Sequence, residues 1–112
     1  MVNDTTAAFV RRSNEAWRDA HAPDEQLSVS TRRVCLFDAG YFALLARATA
    51  EARKRVAHHP DAEFIRSECA CCSLASEPAT QFVAAEHSPD AEGLPTHAML
   101  RRWAADVRAR LI

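Results

Sequence analysis

Glycine is nearly absent from this sequence: of 112 residues only Gly40 and Gly93 lack a side chain. A glycine-rich phosphate loop cannot be built from two isolated glycines, and sheet proteins with many tight turns are equally disfavoured. Long hydrophobic runs are lacking too. The longest apolar stretch, Val34 to Ala46, is interrupted by Asp38 and falls short of the roughly 20 residues that a membrane-spanning helix needs. Residues 1–20 have no continuous apolar segment and carry Arg11, Arg12 and Arg18, so no secretory signal is read there. Net charge is also small, at −1, which excludes a broadly basic nucleic-acid binder but leaves room for a local basic face. The four cysteines, at 35, 69, 71 and 72, do not resemble a disulfide framework. Together these features predict a cytoplasmic protein with reduced thiols and no membrane partner.

Alanine is what the sequence has in quantity, at 23 positions. Alanine has the highest helix propensity and glycine pays the largest backbone entropy, so this balance favours helix throughout. Val, Leu, Ile and Phe supply only 22 residues, but they are clustered and the net charge is low, which favours folding over disorder. The expected fold class is all-α, a bundle of four to five helices around a long central helix at about 31–58. Residues 1–112 form a single domain, since this length suits one core.

The helices follow from periodicity and caps. After a loose start at residues 1–4, Asp4 or Thr5 caps a first helix that runs to about Ala20, with Phe9, Ala16, Trp17 and Ala20 on one side. Arg11 and Arg12 read as a solvated face. Pro23 ends this helix, and residues 22–29 connect it to the next. Ser28 or Ser30 caps the central helix, and Pro60 stops it; Glu51 is placed to pair with Arg47 or Arg55. A third helix covers Asp61 to about Ser73, with Ile65, Cys69 and Cys72 on one stripe. A short fourth helix starts at Ser76-Glu77-Pro78 and ends near Glu86. Ser88 to Pro95 is a loop, and Thr96 caps a last helix with Leu100, Trp103, Val107 and Leu111 in line.

Five features could carry chemistry. Asp38 is a carboxylate among apolar residues and is expected as a buried polar group that needs a partner. Gly40 leaves a bare spot on the central helix, which predicts close packing of another helix backbone there. Cys69, Cys71 and Cys72 suggest a metal site, with histidines as further ligands. On a regular helix, however, Cys71 lies about 200° around from Cys69, so the three thiolates cannot close on one ion. These cysteines read as packing residues, and no metal or cofactor is predicted. The last helix has a local charge of +3, and Arg101, Arg102 and Arg108 are its candidates for contact with nucleic acid. Finally, Arg53 and His58 could act together on RNA, the first binding phosphate and the second moving a proton.

The stretch Leu36-Phe-Asp-Ala-Gly-Tyr-Phe-Ala-Leu-Leu-Ala46 resembles the core second helix of HEPN-type domains. The resemblance covers residues 30–58 and implies a four-helix bundle of the kind that partners nucleotidyltransferases in toxin–antitoxin pairs. Some of its members are RNases that use an Arg, a polar residue, three variable residues and a His. Arg53-Lys54-Arg55-Val56-Ala57-His58 has that spacing, and on this likeness Arg53 and His58 would be catalytic. Lys54 departs from the usual Asn, Asp or His, and the motif follows the central helix directly, whereas the family carries it on a later one. The sequence therefore points first to an interaction or regulatory module, self-associating or bound to a protein partner, and away from an enzyme. A HEPN-type RNase and a nucleic-acid-binding regulator are the alternatives.

Overall fold

The computed structural model describes residues 4–23, 27–56, 60–87 and 96–112. Six helices are present among them: α1 (Asp4–Ala20), α2 (Val29–Arg47), α3 (Ala50–Arg55), α4 (Ala62–Cys71), α5 (Ala79–His87) and α6 (His97–Leu111). No strand occurs among the described residues, and the fold class is all-α. The expected start at residues 1–3, the loop at 88–95 and the end of the central helix at 57–59 lie outside the described residues.

Polar side chains fix where the helices begin. Ser28 accepts a hydrogen bond from the Thr31 N–H at 3.0 Å, so α2 starts at Val29, two residues before its expected start. Asp61 accepts from the Glu63 N–H at 2.8 Å, and Thr96 accepts from the Met99 N–H at 3.2 Å. Each takes up one of the donors that the first helical turn leaves without a partner. Helix α4 ends in a left-handed Ser73 (φ 58°), with the Leu74 N–H returning to the Cys69 carbonyl at 2.8 Å.

The central helix is not continuous to residue 58. Ala48 and Thr49 are both extended (ψ 155° and 158°), and they separate α2 from α3. Thr49 caps α3 by accepting from the Ala52 N–H at 3.1 Å. Arg53 then folds back onto the end of α2. Its Nε donates to the Leu45 carbonyl at 2.6 Å and its Nη2 to the Ala46 carbonyl at 2.7 Å. Those carbonyls would have taken intrahelical bonds in a continuous helix. A cap and a guanidinium satisfy the same groups, so the break leaves little unpaired.

Helix α2 lies between α1 and α6 and supplies most of the core. Leu36 and Leu44 are fully buried, as are Ile65 of α4 and Leu100 and Val107 of α6. Phe37 stacks with Phe82 of α5 at 5.0 Å and with Trp103 of α6 at 6.1 Å, while Tyr41 meets Phe64 of α4 edge-on at 5.9 Å. One aromatic cluster thus ties four helices together. On the other side of α2, Phe9 stacks on Phe42 at 6.2 Å.

Gly40 is a point of close approach, although a side chain makes the approach and not a helix backbone. A Cβ built on Gly40 would run into the six-membered ring of Trp103, with two of its carbons at 2.6 and 2.9 Å. The bare spot is filled by an indole. Asp38 differs from expectation as well. It is half-buried, not buried, and it has interactions of its own. Among the described residues the fully buried polar one is Ser13 of α1.

Candidate functional site

The sequence candidates separate into structural and available groups. Besides its two carbonyls, Arg53 donates to Thr6 Oγ1 at 3.0 Å and lies 5.5 Å from the centre of the Phe9 ring. Its guanidinium joins α1, α2 and α3. His58 lies outside the described residues, so the structure does not bring the pair together. Arg12 sits over Phe9 and Phe42, at 5.5 and 5.9 Å from the ring centres. Arg47 pairs with Glu68 of α4 at 3.5 Å.

The three candidate arginines of α6, Arg101, Arg102 and Arg108, do not act alike. Arg108 Nη1 donates to Ser13 Oγ at 2.7 Å and to Asn14 Oδ1 at 3.0 Å, and the guanidinium lies 5.3 Å from the Trp17 ring centre. Desolvation lowers its pKa. Arg101 and Arg102 are exposed instead. With Trp17 and His21 they border a concavity of about 540 Å³ between the end of α1 and the first half of α6.

This concavity is cationic. His21 packs against Trp17 at 4.3 Å, and its Nδ1 donates to the Trp17 carbonyl at 2.8 Å, which fixes the tautomer. Arg32 Nη1 donates to the Ala20 carbonyl at 2.9 Å and so brings another charge to the end of α1. His97, the first residue of α6, has a pKa lowered by burial and then by Arg101, His21 and Arg32. A bound anion would relieve the repulsion that these neighbours exert on the charged form of His97.

Trp17 and His21 were not among the residues that sequence reasoning put in this site. Trp17 read as part of one side of the first helix, and His21 fell next to the stop at Pro23. The available signal was their i, i+4 spacing next to a helix terminus.

The thiols are dispersed. Cys69 and Cys72 are buried, Cys35 is half-buried and Cys71 is exposed. Burial pushes the Cys69 thiol up to about 11; Trp103 opposes this as a donor, although its buried indole N–H makes no well-formed hydrogen bond among the described residues. Among the described residues no three His, Cys, Asp or Glu side chains converge to hold a metal ion. No described helix is long and apolar enough to cross a membrane. Tyr41 has a buried hydroxyl with no hydrogen-bond partner among the described residues. Burial and then the charge of Asp61 raise its pKa to about 12.

Comparison with known proteins gives no match: no family model, no curated protein and no solved structure is similar to this chain.

Proposed function

We propose that this chain is a helical interaction module whose working face is the concavity bordered by Trp17, His21, Arg101 and Arg102. Its partner is a nucleic-acid strand. One observation carries the reading: four groups from α6 and the C-terminal end of α1 with the turn after it, two guanidiniums and two aromatic rings, border a single open space of about 540 Å³. Guanidiniums bind phosphate oxygens, and aromatic edges and faces take bases, so this composition suits a strand with accessible bases. Charge is also segregated. Asp61, Glu63 and Glu68 border a separate depression beside α4, so a net charge of −1 is compatible with a basic face on α1 and α6.

The setting follows from the resemblance to HEPN-type domains: a cytoplasmic regulator, working as the partner of another protein in a toxin–antitoxin-type pair. Self-association belongs to the same reading, because Val29 and Val34 of α2 are exposed at 64% and 42%. The placement of Arg53 does not favour the RNase alternative, since its donors serve the carbonyls of α2.

The test is fluorescence anisotropy with labelled single-stranded RNA and duplex DNA over a range of salt. We expect preference for the single strand, with log affinity falling by about 0.7 per neutralised phosphate for each decade of salt. A charge-reversed R101E/R102E protein should lose binding while remaining folded. Absence of binding at low salt removes the nucleic-acid reading.

A further inference from the structure

The other side of α6 carries a second, chemically different cavity. It lies between α6 and the connection from α4 to α5, and encloses about 340 Å³. Trp103 and Val107 form its floor, and Leu74 and Met99 line its walls. The Leu74 side is held in place, because the Ser73 and Leu74 N–H groups return to the Ala70 and Cys69 carbonyls. Three charged groups stand around this apolar floor: Arg102 and Asp106 on α6, and Glu77 on the connection. Arg102 and Asp106 are four residues apart on one helix, yet among the described residues neither their side chains nor that of Glu77 form an ion pair or hydrogen bond.

We propose that this groove binds a small zwitterion with an apolar side chain, of the chemical class of the free apolar amino acids. The ligand's carboxylate meets the Arg102 guanidinium. Its ammonium sits between the Asp106 and Glu77 carboxylates, and its side chain covers Trp103, Leu74 and Met99. Complementarity of charge selects this class over the simpler ones. A hydrocarbon would desolvate three charges without pairing any of them. A phosphate or carboxylate anion would be repelled by two carboxylates, and a plain amine would leave Arg102 facing a like charge. The volume lies at the lower end of the roughly 300–1,000 Å³ typical of ligand sites, which suits a single amino acid better than a peptide or nucleotide. This site does not rest on the nucleic-acid reading, although Arg102 borders both cavities.

The experiment is a titration of the full chain with L-phenylalanine and L-leucine, followed by amide and indole shifts in NMR spectra. Two analogues, 3-phenylpropionate and 2-phenylethylamine, each lack one charge. Saturable shifts are expected at Leu74, Met99 and Trp103 with the amino acids. Affinity should drop about tenfold for each analogue and for the R102Q and D106N proteins, the loss of one charge-assisted contact. R101E, outside this groove, should bind the amino acids normally even where nucleic-acid binding is lost. The proposal is overturned if neither amino acid gives a saturable shift, if either analogue binds as tightly as L-phenylalanine, or if the shifts map away from the groove.

Discussion

Ser13 and Arg108 are 95 positions apart and joined by a hydrogen bond of 2.7 Å. Ser13 also donates through the same Oγ to the Ala39 carbonyl of α2 at 2.7 Å. One hydroxyl thus accepts from α6 and donates to α2 while sitting on α1, so it fixes the mutual register of the three principal helices. A fully buried hydroxyl is costly unless both its donor and its acceptor are used, and here both are.

Replacing Ser13 with Ala should lower stability by about 1–3 kcal/mol, because it removes both hydrogen bonds of a buried hydroxyl, one of them to a guanidinium. The measurement is urea unfolding of S13A, R108A and the double variant. A shared node makes the double variant less unstable than the sum of the singles. Strict additivity would show that the two residues act separately.

Gly40→Ala tests the contact with Trp103. Helix propensity alone favours the alanine by about 1 kcal/mol. The new Cβ meets the indole ring, however, and overpacking of a core typically costs about 1–3 kcal/mol. The net expectation is a lower melting temperature for G40A, with part of the loss recovered when Trp103 is replaced by Leu in the same chain. A gain in stability for G40A would mean that the ring moves aside freely.

Arg53→Ala should destabilise the fold by about 2 kcal/mol, since charge-assisted hydrogen bonds to two helix-end carbonyls are lost. Lysine should recover little, as it cannot reproduce the forked geometry of the guanidinium. Circular dichroism and thermal melts of R53A and R53K read this directly. If R53A melts like the parent, the break after α2 is held by Thr49 alone.

His97 gives a pH dependence with a definite sign. Its folded pKa lies below the ordinary 6.5, so the folded state resists protonation that the unfolded chain accepts. The unfolded chain then binds more protons at and below pH 6.5, and stability decreases as pH falls from there through the folded value. Replacement of His97 by Gln should flatten that part of the stability profile. A bound polyanion should raise the His97 pKa, which NMR titration of its ring protons with and without RNA can follow.

Thiol reactivity should follow burial. Cys71 is exposed and should react first with a disulfide reagent under native conditions. Cys69, fully buried and with its pKa raised to about 11, should react only on unfolding. Mass spectrometry of partly labelled protein distinguishes them, and early labelling at Cys69 would mean that α4 opens readily.

The local features were open to sequence reasoning because their causes are local. Alanine content and apolar periodicity specify helices. The caps at Ser28 and Thr96 are set by a side chain and an N–H three residues away; the cap at Asp61 is equally local, although Asp61 was expected as the first residue of its helix. The stripe of Leu100, Trp103 and Val107 marks the buried face of α6 by spacing alone. The break after Arg47 was harder to read. Its cause is Arg53 returning to carbonyls seven and eight residues earlier, and that competes with an equally good continuous helix.

Tertiary structure decided what the charged and small residues do. Three arginines on one helix look alike in sequence, but a buried serine on α1 takes Arg108 into the fold and leaves Arg101 and Arg102 outside. Gly40 announced a close approach that was expected from a helix backbone, and only the packing of α6 made the neighbour the Trp103 ring. Likewise, Asp38 is half-buried because α2 turns that position toward the edge of the core. Trp17 and His21 belong to the candidate site because the fold brings the end of α1 to one concavity with Arg101 and Arg102 of α6. Sequence determined this protein's helices and core faces, since propensity and periodicity act within a few residues. Only the packing of α1, α2 and α6 assigned roles to its arginines, because a guanidinium's partners are chosen by distances in space.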